Sequence, residues 1–194
     1  VLGGGLTAIE LATEIAEARP DLHTVLVAHH LLPDASDEAR RALSDALTAL
    51  AIEVVVGQRA EVRDAARIVL DDGRVLEVAL CGVCDGFRPA DAARVLGLPS
   101  ADDGRVRVDA TLRVEGCADL FAVGDLAAPP AGAIGSGVAT TRMGCATAMP
   151  MGAHAADEIV RAMRGRRAEP YRFAYALRCI SLGRRRGLVL ALDQ

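Results

Sequence analysis

A chain of 194 residues, 52% of them hydrophobic, has the material for one large or two small domains with a buried core. The mildly acidic charge of −4 and an aromatic content of 3%, too low to stack bases, argue against nucleic acid as a partner. No apolar run reaches the roughly 18 residues that would span a bilayer. Five cysteines, an odd number, do not make the disulfide framework of a secreted domain, so the chain reads as cytoplasmic. All 22 basic residues are arginine, and the clusters at Arg164, Arg166, Arg167 and Arg184-Arg185-Arg186 read as solvated or as neighbours of a phosphate.

The sequence opens on Val1-Leu2-Gly3-Gly4-Gly5-Leu6-Thr7-Ala8-Ile9-Glu10. This matches the turn between the first strand and first helix of a dinucleotide-binding unit, with most of the strand missing, as expected of a chain cut from a longer one. Gly3 stands where a tight turn is made, Gly5 where backbone approaches a pyrophosphate, and Ala8 where helix must pack closely on sheet. The helix that follows carries Ala8, Leu11, Ala12 and Ile15 on one face, closes before Pro20, and aims its N-terminal N–H groups at the phosphates. Thr24–Val27 is predicted as the next strand. Ser36 caps a helix with Ala39, Leu43, Ala46, Leu47 and Leu50 on its apolar face, and Ile52–Val56 is a third strand. The order β-α-β-α-β predicts a parallel sheet covered by helices. A carboxylate about 20 residues beyond the glycines would hold the ribose of NAD. The second strand instead ends Val27-Ala28-His29-His30, whose histidines either meet a 2′-phosphate or are exposed loop residues.

Beyond Gly57 the pattern changes to a β-meander, with Ile68–Leu70 and Val75-Leu76 flanking the glycine turn Asp71–Arg74. Leu80–Cys84 is predicted as the last strand of this domain, running into the turn Asp85-Gly86-Phe87-Arg88-Pro89. Side chains alternate along a regular strand, so Cys81 and Cys84 would face opposite sides and not pair. Zinc lacks a second cysteine pair. Further on, Arg105–Val108 reads as a short strand and Asp119–Asp125 as a buried strand ending on Gly124-Asp125. The flexible stretch Ala131–Gly137 leads to a helix that extends to about Arg164, interrupted near Pro150 and followed by Gly165.

Three of these segments, in order, resemble the FAD- and NAD(P)H-dependent pyridine nucleotide-disulfide oxidoreductases: Gly3-x-Gly5-x-x-Ala8-x-Glu10, Gly86-x-x-Pro89 and Leu120-Phe121-Ala122-Val123-Gly124-Asp125. The resemblance covers essentially the whole chain. The tail Cys179-Ile180-Ser181-Leu182-Gly183-Arg184-Arg185 is similar to the branch of type II NADH dehydrogenases and apoptosis-inducing-factor-like or ferroptosis-suppressor-like quinone reductases.

This resemblance implies an α/β fold: a three-layer Rossmann-like NAD(P)H-binding domain with parallel sheet and β-meander over 1–90, the C-terminal part of a discontinuous FAD-binding domain over 91–155, and a C-terminal helix and strand segment over 156–194. The first FAD-binding turn would lie upstream. It implies FAD and NAD(P)H as cofactors, hydride transfer from nicotinamide to flavin, and a small-molecule acceptor such as a quinone. Peripheral contact with the inner face of a membrane and a homodimer are compatible with it. Gly3, Gly5, Ala8, Gly86 and Gly124 would line the cofactors. Glu10 either touches the nicotinamide end or favours the helix dipole, and Asp125 either orients the ribityl chain or caps a turn. The helix near Thr140–Ala148 corresponds to the element whose N-terminus faces the flavin and stabilises its negative charge. Met149-Pro150-Met151-Gly152 stands where quinone-reducing relatives often carry glutamines, which weighs against quinone. Two rival readings remain: a noncatalytic nicotinamide-nucleotide-binding fragment without FAD, and a thiol-redox flavoprotein using Cys81 and Cys84. Cys81–Phe87 resembles the Cys-x-x-Cys-Asp-Gly of thioredoxin reductases, but there the pair precedes the nicotinamide glycines.

Overall fold

The computed structural model of the chain describes residues 1–133 and 141–191, which fall into two compact units. The first comprises Val1–Gly86 together with the strands β8 (Leu177–Ser181) and β9 (Gly187–Ala191); the second lies within Phe87–Ala176.

In the first unit, α1 (Leu6–Ala18) buries Ala8, Ile9, Ala12 and Thr13. The Thr13 hydroxyl escapes the cost of burial by donating to the Ile9 carbonyl at 2.9 Å. β1 (Val25–Ala28) pairs in parallel with β2 (Glu53–Val56), and α2 (Asp37–Ala49) connects them. Ser36 caps α2 as its sequence predicts, accepting from the Ala39 N–H at 3.2 Å, with Asp37 and Glu38 favourably placed in the first turn. Leu2 forms parallel bridges to both Val27 and Val83, so the opening residues run through the middle of the sheet. The expected strand Leu80–Cys84 is reduced to this one bridge, held by Leu2 N–H to Gly82 O and Cys84 N–H to Leu2 O, both at 2.8 Å.

Alternation sorts the sheet's two faces. Val1, Leu26, Val54 and Cys84 pack with α1 and α2, whereas Leu2, Val27, Val55 and Cys81 pack with Ile68 and Leu70. Those last two belong to an antiparallel meander of β3 (Ala60–Val62), β4 (Arg67–Leu70) and β5 (Val75–Glu77). Helices, parallel sheet and meander are the three layers expected of a Rossmann-like unit. The hairpin β8–β9 packs on α1 and α2, with Ile180 and Leu182 in their core. The segment expected over 156–194 is therefore divided: its helix lies in one unit and its hairpin in the other.

The second unit contains α3 (Ala92–Val95), β6 (Val106–Arg107) paired in parallel with β7 (Ala127–Ala128), and α4 (Cys145–Met163). Val106, Val108, Leu112, Val114 and Met151 form its core. Asp119–Asp125 is not the predicted strand. It leaves a turn at Asp119, is joined by the single bridge Arg113 to Phe121, and ends in a 3-10 turn over Gly124–Leu126. α4 starts at Cys145, not near Thr140, because Thr141–Gly144 are non-helical; Thr140 itself and 134–137 of the predicted loop lie outside the described residues. Nor does Pro150 interrupt α4. In the second turn its ring removes one ladder hydrogen bond, while Thr147, Met151 and Ala155 anchor the helix on both sides. Gly165, at φ +63°, ends the helix: its N–H reaches the Ala162 carbonyl at 3.0 Å and the Arg166 N–H the Arg161 carbonyl at 2.9 Å.

Candidate functional site

The opening turn is built by steric exclusion. A Cβ on Gly3 would collide with the Cys84 carbonyl and lie 3.2 Å from the Ala8 Cβ, so this glycine and the small residue at position 8 are mutually required. A Cβ on Gly4 would collide with the His30 carbonyl, a constraint that the spacing of Gly3, Gly5 and Ala8 leaves unread. Gly5 differs: a Cβ there would meet nothing within 4 Å. The fold does not need that glycine, but a group lying against the turn would. Gly5 is also the N-cap of α1, makes no side-chain capping bond, and is followed by a first turn without acidic residues. The first N–H groups of α1 and the positive end of its dipole are thus left for an anion.

The ends of β1 and β2 meet beside this turn. Leu32 N–H donates to Gly4 O at 3.1 Å, and Gly57 N–H donates to the carbonyls of Ala28 and His29 at 3.0 and 3.1 Å. His29 and His30 are exposed, with ring centroids 4.2 Å apart. A cleft of about 810 Å³ opens here between His30, Val54, Val56 and the α2 residues Leu43 and Leu47. Its lining sets Leu43, Leu47 and Val54 beside the polar His30, Arg40, Ser44 and Thr48, a mixture that suits a planar ring with polar edges.

Glu10 lies a turn further into α1, where it accepts the Ser181 N–H at 2.9 Å on Oε1. It therefore sits outside the first turn, where a carboxylate best complements the dipole. Gly86 closes the first unit at φ +110°, with open space where a Cβ would be. Cys81 and Cys84 are both free and pack into cores on opposite faces of the sheet, as alternation predicts, so they do not form a dithiol pair.

In the second unit Gly124, at φ +63°, presses the 3-10 turn onto α4: its N–H points at the Met151 sulfur at 3.2 Å, and a Cβ would stand 3.1 Å from that of Ala148. Asp125 thereby reaches the N-terminus of α4 and accepts the N-cap Gly144 N–H on Oδ1 at 2.7 Å. Among the described residues no donor reaches Oδ2. Asp125 is thus both a cap and an exposed acceptor. Neighbouring groups, absent from the sequence expectations, hold this loop. Tyr175 OH accepts the Arg142 N–H at 2.8 Å and lies 2.7 Å from the Thr147 hydroxyl. Buried Arg105 donates to Thr141 Oγ1 at 2.8 Å and Ala127 O at 3.2 Å, and pairs with Asp103. Partial burial acts to raise the Asp103 pKa, but the Arg105 hydrogen bonds outweigh it and hold the carboxyl below its ordinary value. Desolvation, with Tyr175 nearby, pushes the Tyr171 phenol up to about 12. No helix among the described residues is long and apolar enough to cross a membrane.

The chain is 32% identical over 145 residues to Fe-regulated protein 8 of Mycosarcoma maydis, a match covering 71% of this chain and 36% of that protein. It is 27% identical over 138 residues to the mitochondrial internal alternative NAD(P)H-ubiquinone oxidoreductase A1 of Arabidopsis thaliana, covering 64% of this chain and 27% of that one. It thus spans well under half the length of these relatives. A crystal structure of an FAD-dependent pyridine nucleotide-disulphide oxidoreductase from Desulfovibrio vulgaris superposes with a TM-score of 0.70 at 23% identity, covering 93% of this chain and 45% of that chain, and shows the same fold. The sequence profile of the pyridine nucleotide-disulphide oxidoreductases matches residues 1–157, and the chain belongs to that family.

Proposed function

We propose that this chain is the nicotinamide-binding portion, with part of the flavin-binding portion, of an oxidoreductase that takes hydride from NAD(P)H onto FAD and passes electrons to an acceptor such as a quinone. The observation that carries this reading is the opening turn: Gly3 and Gly4 are demanded by the fold, while Gly5 faces open space and so leaves room for something to lie against it. In that role Gly5 leaves room for a diphosphate, the N–H groups of Leu6, Thr7 and Ala8 donate to it, and the cleft beside His30 takes the adenosine end.

The donor set of the second turn fits a polyhydroxylated chain, since Asp125 offers a carboxylate oxygen to a hydroxyl donor. The N-terminus of α4 beside it favours negative charge on whatever ring it faces. When bound there, FAD supplies the hydride acceptor. The protein's own contribution is placement and exclusion of water, and no side chain here is asked to move a proton. A quinone acceptor is supported by the ubiquinone oxidoreductase among the relatives, and peripheral membrane attachment belongs with that acceptor.

The test is equilibrium binding of ADP-ribose, NADH and NADPH to the 194-residue chain, with a visible spectrum before and after NADH. Binding of ADP-ribose, weakened in Gly5→Ala, supports the nucleotide site; a chain that binds none of the three overturns it. Flavin absorbance bleached by NADH supports electron transfer by the chain itself. A colourless protein that still binds nucleotide favours the noncatalytic fragment.

A further inference from the structure

On α1, Glu10, Glu14 and Glu17 follow one another at four- and three-residue spacing and so share one face of the helix. All three are bound to the turn of the β8–β9 hairpin. Glu10 accepts the Ser181 N–H at 2.9 Å. Glu14 takes both Nε and Nη2 of Arg184 at 2.8 Å, a two-point grip on one oxygen. Glu17 accepts the Arg184 N–H and lies 3.9 Å from the Arg185 guanidinium. The turn is shaped for this: Gly183 has φ +82°, a Cβ on it would collide with the Glu17 carboxylate, and the Ser181 hydroxyl donates to the Gly183 carbonyl at 3.0 Å. Below it, Ile180 and Leu182 are packed among Ile9 and Ala12.

Five interactions across more than 160 residues of sequence are more than a surface hairpin needs to stay folded, since exposed pairs contribute little each. They converge on the one helix whose N-terminus carries the nucleotide turn. We infer that the segment Ser181–Arg185 is a clasp that fixes the axial position of α1, and that Arg184 is a positioning residue for the nucleotide bound at Gly5. The inference rests on the nucleotide reading above. Sliding or tilting α1 would move the N–H groups of Leu6–Ala8 away from the phosphates, and misplacement of that size is costly in an oriented site.

The test uses Arg184→Ala, Arg184→Lys and the exchanged pair Glu14→Arg with Arg184→Glu in the full chain. ADP-ribose affinity should fall about tenfold in Arg184→Ala, with helix content by circular dichroism unchanged. It should recover in part in Arg184→Lys and in the exchanged pair. Hydrogen exchange at the Ile9–Ala12 amides should accelerate in Arg184→Ala. A variant with a lower melting temperature but unchanged ADP-ribose affinity would show a merely structural contact and overturn the inference. Where the parent chain binds no ADP-ribose, the nucleotide reading fails instead. Exchange at Ile9–Ala12 then judges the clasp alone: acceleration supports it and parental rates overturn it.

Discussion

Gly4 and Gly5 are adjacent glycines with opposite reasons for existing. Gly4 faces the His30 carbonyl, so Gly4→Ala forces backbone apart in the middle of the turn and should destabilise the chain by about 2–4 kcal/mol in urea unfolding. Gly5 faces open space, so Gly5→Ala should cost no more than about 1 kcal/mol, the difference between glycine and alanine at an N-cap. Its effect should appear instead as an affinity for ADP-ribose lower by about tenfold. At His29 the argument is one of charge. No carboxylate stands at the end of β1 to bind a ribose 2′-hydroxyl or repel a 2′-phosphate. His29→Glu should therefore shift the ratio of NADPH to NADH affinity toward NADH by about tenfold, measured by competition with ADP-ribose. Gly3 and Ala8 were legible in the sequence because they stand five residues apart in one short motif and face each other, although Gly3 also meets the remote Cys84 carbonyl. Glu10 was not: its carboxylate bonds to Ser181, and nothing near it in the chain announces that partner.

Hydrophobic spacing placed α1, β1, α2 and β2 to within a residue or two, since each buries one face against the same core. Elements failed where pairing, not burial, decides. Leu80–Cys84 and Leu120–Val123 are mostly apolar, yet each finds one bridge where a strand needs a ladder. Pro150 misled in the opposite direction, because a proline's damage depends on how firmly its helix is held. Met151 is fully buried next to it, and α4 runs on unbroken while forgoing the bond to the Ala146 carbonyl. Pro150→Ala restores that bond and should stabilise the chain by about 1–3 kcal/mol, read as a higher urea midpoint. A midpoint equal to the parent's would mean that the surrounding packing already absorbs the loss.

For the molecule as a whole, pH response follows from what is buried. Tyr171 is 3% exposed, and its hydroxyl has no hydrogen-bond partner among the described residues. Its folded pKa of about 12 stands above the unfolded value of 10.0. The stability that depends on the neutral phenol is complete below the unfolded value and is lost as pH rises through the folded one. Urea midpoints should therefore fall steeply between about pH 10 and 12. Tyr171→Phe should flatten that slope and, by removing an unpaired hydroxyl, should not destabilise the protein at neutral pH.

At this scale the sequence by itself determined the class of fold, the family and the location of both glycine turns. Those properties rest on spacing within a few residues and on the period of apolar side chains. Only the tertiary structure decided which faces the two cysteines take, that Asp125 caps α4, that Gly4 is sterically required, and that the C-terminal hairpin returns to clasp the first helix. The physical reason is common to all four. Each depends on a contact between residues remote in the chain, whose free energy exists only once burial has brought them together.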